Sequence, residues 1–367
     1  MASIKKVTIV GPLAPPAGGM ANQTKKLADF LRSEHIDVQV IRTNADYRPS
    51  FIGKIPVVRA VFRLFFYIVS LLSKLKNTDV IHIMANSGWS WHLFAAPAIA
   101  IGRLYSKPIV VNYRGGYAQE FFDKSWRWVN LTLSKSHKVI VPSSFLQEVF
   151  SGFEVKAEIV PNVLDEALFS PVKSTSESSN PHIIVARNLE AIYDVATAIQ
   201  AFALIKATIP SARLSIAGTG PELSNLTKLV AQLNLQDAVT FTGRLSPSEM
   251  AKLYQSADIM LNASTVDNTP NAIIESLACG TPVVTTNAGG IPKLVSHQHD
   301  AMLVAIGDKQ LMAEHAVAIL NDDKLAESMV NNGLNTISKF YWSNVWLSLK
   351  ACYHDALIRS KTAEKAQ

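Results

Sequence analysis

The chain has 367 residues, 48% hydrophobic and 17% charged, with a net charge of +6. At ~150 residues per domain this length predicts two globular domains rather than one core. Two cysteines, Cys279 and Cys352, lie far apart with no CxxC spacing, which argues against a structural zinc site and for a reducing compartment. The basic balance suits a negatively charged donor, a nucleic acid or an anionic membrane surface equally well.

The N-terminal MASIKKVTIVGPL has only a short apolar run and no cleavage site of the secretory kind. It reads as a first β-strand of a cytoplasmic protein. The stretch Asn22 to Ser33 then reads as a helix and VQVIRT as a second strand. DVIHIMA, PIVVNYRG and KVIVPSS are short β-branched runs bounded by turn residues, as buried parallel strands require. The serine-rich segment SPVKSTSESSNP cannot bury enough apolar surface to order itself and predicts a linker. After it the strand–helix rhythm restarts with HIIVARN, RLSIAGTG, VTFTGRL, DIMLNAS, PVVTTNAGG and AMLVAIGD. The expected organisation is a doubly wound α/β domain over 1–170, a linker over 171–181 and a second such domain over 182–342. A closing helix over 343–367, with Val345, Leu349, Cys352 and Ala356 on one stripe, is expected to pack back on the first domain. Two such halves predict a ligand cleft at the carboxyl ends of their strands.

One stretch stands out. Ile55 to Leu75 is long and apolar, with Arg59, Arg63, Ser70 and Lys74 on a stripe about 60° wide. Two arginines make it a costly membrane span, at ~2.5–3.5 kcal/mol each. Two readings stay open: a core helix whose polar stripe reaches solvent, or an amphipathic helix lying in a membrane interface.

The chemistry concentrates in STVDNTPNAIIESLACGTPVVTTNAGG, Ser264 to Gly290. Pro270 suits the first turn of a helix, where its missing N–H costs nothing. The unpaired amides of that turn, at Asn271, Ala272 and Ile273, make a ready phosphate site. Glu275, one turn on, can accept hydrogen bonds from two ribose hydroxyls, while Asp267 in the preceding loop faces whatever the phosphates carry. Two acids at this spacing also suit an ordinary βαβ turn. The whole ordered block is more specific.

That block resembles the donor-binding signature of glycosyltransferase family 4, the retaining enzymes of the GT-B fold, in which two Rossmann-like domains face each other across a cleft. ARNLE, IAGTGPE, TFTGRLSPSEMAKLYQSADIMLNAS and NAGGIPKLV agree with it, and GGMANQTKKLADFL and DVIHIMA fit more loosely. The resemblance implies a retaining, metal-independent transfer from a nucleotide-sugar, a UDP-sugar first and a GDP-sugar second. The implied acceptor is a glycan or lipid-linked intermediate of surface polysaccharide synthesis at the cytoplasmic membrane face. It implies no cofactor and no nucleic-acid partner, and the sequence has no Asp-x-Asp motif. By the same resemblance Gly18 and Gly19 admit the diphosphate, and Arg187 neutralises it. Gly218, with Thr219 and Gly220, flanks the nucleotide; Gly243, Arg244 and Leu245 hold the base through backbone groups. Glu275 binds ribose and Asp267 contacts the donor sugar.

Three positions depart from the family pattern. Asp267 stands where glutamate is usual, and Tyr193 where a diphosphate-binding lysine is expected. Arg114, in NYRGG, replaces a histidine and is the candidate to restore the missing positive charge. These departures also keep a second class in view, a nucleotide-sugar-binding protein without turnover. A third is a GT-B phosphorylase or epimerase. Cys279 reads as a small buried thiol, and His82 and His92 as structural histidines. Trp89, Trp91, Trp126 and Trp128 read as core or cleft-wall residues, with NSGWSWHLF a possible acceptor-facing run.

Overall fold

The computed structural model describes residues 4–15, 18–44, 56–172 and 180–365, with side chains from Phe62 to Thr362 in the two flanking helices. The chain forms two compact units: residues 1–163 with 342–367, and residues 164–341.

Unit 1 alternates strand and helix. Its elements are β1 (Lys6–Gly11), α1 (Gly19–Ser33), β2 (Asp37–Arg42), α2 (Pro56–Lys74), β3 (Val80–Ala85) and α3 (Ala96–Leu104). They continue through β4 (Ile109–Tyr113), α4 (Ala118–Leu133), β5 (Lys138–Val141), α5 (Ser144–Gly152) and β6 (Ala157–Ile159). All strands run parallel in the order β2-β1-β3-β4-β5-β6. Alternate strand residues serve opposite faces, as the two-residue strand period demands. Val10, Ile81, Ile83 and Val111 pack with Tyr67 and Leu71 of α2 and with α3 to α5. Val7, Ile9, Val80 and Val110 pack against α1 on the other side.

Unit 2 repeats the plan with β7 (His182–Ala186), α6 (Val195–Thr208), β8 (Arg213–Ala217), α7 (Leu223–Gln232), β9 (Val239–Gly243) and α8 (Pro247–Gln255). It continues with β10 (Ile259–Asn262), α9 (Asn271–Ala278), β11 (Val283–Thr286), α10 (Ile291–Leu294), β12 (Met302–Val304), α11 (Lys309–Asn321) and α12 (Asp323–Ile337). Its parallel sheet has the order β12-β11-β10-β7-β8-β9. The direction of winding reverses between β7 and β10, the kind of place where open α/β sheets bind ligands.

The last helix, α13 (Trp342–Lys365), belongs to unit 1. Val345, Leu349, Cys352, Tyr353 and Ala356 are buried in the same cluster as α1 and the strands. Each large aliphatic residue buried this way contributes about 1.5–3 kcal/mol. A charged clasp adds to this: Lys138 of β5 donates to Asp355 at 2.6 Å and also pairs with Glu158. Burial works against the Lys138 charge, but its hydrogen bonds to Asp355 and Glu158 hold its pKa above the ordinary lysine value. The bond from Lys138 holds the Asp355 carboxyl below the usual range.

The units divide at 163/164, seven residues before the expected boundary of 170. The reason is hydrophobic: Leu164 and Phe169 are buried in the core of unit 2, and the Leu164 amide donates to the Phe340 carbonyl at 2.9 Å. Of the expected linker 171–181, residues 173–179 lie outside the described residues. The short strand β6, unmarked in the sequence, completes the edge of the first sheet.

Helix α2 departs from the reading of a core helix whose polar stripe reaches solvent. Tyr67 and Leu71 are buried against the sheet, whereas Phe65 and Phe66 are 61% and 51% exposed, with Phe62, Val69 and Leu72 beside them on one face. Arg63, Ser70 and Lys74 lie between these two apolar faces and are only part-buried. The solvent-facing side is therefore apolar, not polar as a core helix would have it.

Candidate active site

In unit 2 the ends of β7 and β10 bring together residues distant in sequence. Arg187 follows β7 directly. Its Nε donates to Asn262 Oδ1 at 2.7 Å, and its Nη2 pairs with Asp267 Oδ2 at 2.7 Å. Both side chains of the ion pair are largely buried, at 10% and 15% exposure. Asn262, at the end of β10, is held by Ser264 Oγ, which donates to its Oδ1 at 2.9 Å. Its amide in turn donates to Thr285 Oγ1 at 2.8 Å. A buried asparagine bonded through both its oxygen and its amide is a rigid anchor for a guanidinium. The other oxygen of Asp267 accepts the Asn268 amide at 2.8 Å.

Tyr193 takes a role of its own. The Arg187 guanidinium carbon lies 5.0 Å from the centroid of the Tyr193 ring, a cation–π arrangement. A turn at Ala191–Tyr193 carries the ring there, tied down where Thr265 donates its amide to the Ile192 carbonyl at 2.8 Å. The aromatic that replaces a cation thus braces the cation that remains.

Two glycines hold this edge together. Gly218, after β8, has φ +147°, and a Cβ there would lie 1.9 Å from the Arg187 carbonyl oxygen. Gly289, after β11, has φ +53°, and a Cβ there would lie 2.1 Å from the Asp267 carbonyl oxygen. Only glycine allows these loops to run against the backbone of Arg187 and Asp267.

The remaining candidates fall along the same carboxyl edge of unit 2. The Gly218 amide donates to the Gly243 carbonyl at 2.9 Å, so the loops after β8 and β9 touch. Arg244 is exposed and Leu245 part-buried, just before the capping box of Ser246 and Glu249 that opens α8. Asn271, Ala272 and Ile273 form the first turn of α9, which no side chain caps. Glu275 is part-buried one turn further along. Burial, and then the charge of Glu275, push the Cys279 thiol up to about 12, which suits a buried structural cysteine.

In unit 1, Gly18 and Gly19 open α1, where no side chain caps the first turn and an added Cβ would meet open space. Arg114 follows β4 at the carboxyl edge of its own sheet. Its Nε donates to Asn112 Oδ1 at 3.2 Å, and its Nη1 bonds Asn162 Oδ1. Loss of hydration lowers the Arg114 pKa to about 10, still well above neutral. His82 is buried and satisfied at both nitrogens, and His92 makes edge-on ring contacts with Trp89 and Phe121. Trp91 is a core residue and Trp126 packs at its margin, whereas Trp89 and Trp128 are exposed.

Sequence reasoning named Arg187, Asp267 and Glu275 but missed Asn262, Gly289 and the bracing contact of Tyr193. The polar residue ending the apolar strand DIMLNAS was the available signal for Asn262.

Family models match both units: "Glycosyltransferase Family 4" over residues 17–168 and "Glycosyl transferases group 1" over residues 169–336. N-acetyl-alpha-D-glucosaminyl L-malate synthase of Bacillus anthracis is 27% identical over 63% of this chain and 59% of its own. Alpha-monoglucosyldiacylglycerol synthase of Streptococcus pneumoniae is 28% identical over 55% of this chain and 51% of its own. The chain thus spans little more than half the length of these relatives. Among solved structures, HepE of Anabaena in complex with UDP and glucose superposes with a TM-score of 0.71 at 19% identity, covering 95% and 98% of the two chains. A glycosyltransferase of Rickettsia africae superposes with a TM-score of 0.76 at 17% identity, over 96% and 99%. With both halves matched and the doubly wound architecture shared end to end, the chain belongs to the group 1 glycosyltransferases of the family 4 type and has the two-domain α/β GT-B fold.

Proposed function

We propose that the protein transfers a sugar from a nucleotide-sugar, a UDP-sugar in the first instance, to a hydroxyl of a glycan or lipid-linked acceptor with retention at the anomeric carbon. The observation that carries this reading is the braced Arg187, held by Asn262, Asp267 and Tyr193 at the switch point of unit 2. A fixed cation there stabilises the charge that develops on a departing diphosphate, and the uncapped amides of α9 add to it without a metal. The bond from the anomeric carbon to the phosphate oxygen breaks and the nucleotide diphosphate leaves. The acceptor oxygen then bonds to the same face, its proton passing to a phosphate oxygen. On this reading Glu275 takes the ribose hydroxyls and Asp267, beside Arg187, contacts the donor sugar. Arg114, at the carboxyl edge of the first sheet, is proposed as a further phosphate-binding cation. HepE with UDP and the lipid-glycosylating pneumococcal relative support the donor and acceptor classes.

The test is hydrolysis of a panel of UDP-, GDP- and ADP-sugars by the purified protein. One nucleotide released from one sugar, and no release by Glu275→Ala, is the expected result. Binding without hydrolysis, even with lipid or glycan acceptors supplied, would favour the non-catalytic reading. Phosphate-dependent cleavage or isomerisation would favour a phosphorylase or epimerase.

The acceptor reading draws on α2. No described helix is long and apolar enough to cross a bilayer. Instead α2 turns five large apolar residues to solvent within a stretch, 47–119, that has nine lysines and arginines against one acid, Asp79. That combination suits the anionic cytoplasmic face of a membrane. Phe65→Ser with Phe66→Ser is expected to weaken co-sedimentation with phosphatidylglycerol vesicles at least ~tenfold. Equal binding by the variant would remove this part of the proposal.

A further inference from the structure

Arg114 differs from Arg187 in one respect: nothing in its surroundings neutralises it. Among the described residues its hydrogen bonds go to the amide oxygens of Asn112 and Asn162, and no carboxylate pairs with it. Two Nη2 hydrogens and one on Nη1 have no protein acceptor there. Arg114 is part-buried, so these hydrogens stay open to solvent, and a partly desolvated guanidinium with no carboxylate beside it suits an anion.

Behind Arg114 runs a buried chain of hydrogen bonds. Arg114 Nε can only donate, so it sets the Asn112 amide with its oxygen toward the guanidinium and its NH2 away from it. That NH2 faces His82 Nε2 at 3.1 Å, which must therefore accept. The imidazole proton then sits on Nδ1 and donates to Tyr353 Oη at 2.8 Å. Every member has one consistent role. Asn112, His82 and Tyr353 are all buried, with 2%, 0% and 0% exposure. Burial, then the charge of Arg114, lowers the His82 pKa to about 3, which keeps the ring neutral and the order of donors intact. Tyr353 lies on α13, so the chain ties the C-terminal helix to the carboxyl edge of the sheet.

We propose that Asn112, His82 and Tyr353 are positioning residues that aim Arg114 at a phosphate group, making the end of β4 an anion site governed by α13. The proposal rests on the reading of Arg114 as a phosphate-facing cation. The phosphate is that of the donor or of a phosphorylated acceptor. Asn162 holds the guanidinium from the other side.

The test follows the Nε–H resonance of Arg114 in full-length protein labelled with 15N-arginine, assigned by its loss in Arg114→Gln, during titration with inorganic pyrophosphate. The resonance is expected to shift saturably. Tyr353→Phe leaves no void but strips the buried Nδ1–H of His82 of its acceptor, and should weaken that response about three- to tenfold with a melting temperature lowered by only a few degrees. His82→Gln, whose amide can still bond Asn112, should respond more nearly like wild type than His82→Leu does. Asn112→Asp keeps an acceptor for Nε but neutralises the site, and should abolish the response. A wild-type resonance indifferent to pyrophosphate would overturn the anion site. Tyr353→Phe and Asn112→Asp both titrating like wild type would reduce the chain to a structural role. Competition by UDP identifies the donor as the phosphate source, and competition only by a phosphorylated acceptor identifies the other. A pyrophosphate response in a protein that hydrolyses no nucleotide-sugar would leave this inference standing and remove the proposed activity. Hydrolysis without the response would do the reverse.

Discussion

Arg187→Ala is expected to lower kcat/KM by about 10²- to 10³-fold, the usual cost of removing one preorganised group that stabilises developing charge. The loss should fall mainly on kcat, because the nucleotide keeps its contacts to Glu275 and to backbone groups. Some stability is lost as well. Asp267 Oδ2 is left without its partner in a largely buried place, at roughly 1–3 kcal/mol, while Asn262 Oδ1 keeps the bond from Ser264. Arg187→Lys separates charge from geometry: a point charge cannot bond Asn262 and Asp267 together or lie as flat against Tyr193. An intermediate loss is expected for it. Steady-state kinetics beside thermal unfolding checks both variants. Turnover unchanged in Arg187→Ala would mean that leaving-group stabilisation resides elsewhere.

Gly289→Ala is expected to be, with Gly218→Ala, among the most damaging single methyl groups in the site. The new Cβ would lie 2.1 Å from the Asp267 carbonyl oxygen, on a backbone already at φ +53°. Neither loop can give way cheaply, because the Gly290 amide donates to that same carbonyl at 2.9 Å. Strain and displacement together should cost roughly 2–4 kcal/mol and pull Asp267 from Arg187. Gly307→Ala is the matched control: φ there is +79°, but a Cβ would meet nothing within 4 Å. It should lose only about 1–2 kcal/mol and keep its activity. Equal effects from the two substitutions, in melting temperature and in turnover, would show that backbone strain alone decides the outcome.

Much of the architecture was legible because parallel strands buried on both faces leave short β-branched runs between turn residues. HIIVARN and DIMLNAS contain β7 and β10. The stripe Val345, Leu349, Cys352 and Ala356 was legible for the same reason, and all four residues are buried. Strand β6 was not, since three residues carry too little periodicity. The boundary at 163/164 was hidden because Leu164 and Phe169 join the second core ahead of the polar stretch, and composition marks the stretch, not the packing. At the site, residue types were legible and partnerships were not. Nothing in EAIYD announces that Tyr193 lies against Arg187, because that contact depends on a turn tied to Thr265, more than seventy residues away. Helix α2 was ambiguous because it is apolar on two sides, and hydropathy alone does not say which side the sheet takes.

The discontinuity of unit 1 sets an order of events during synthesis. Residues 164–341 form a contiguous unit, but the hydrophobic cluster that includes Val7, Val80 and Val110 stays open until α13 arrives. At 5–20 residues per second, the intervening segment takes on the order of ten to forty seconds to emerge. For that interval the nascent first sheet presents an apolar face, and chaperones that recognise such surfaces have a defined window in which to bind. Tyr353 arrives only at its close, so the second unit can be complete before His82 has its partner.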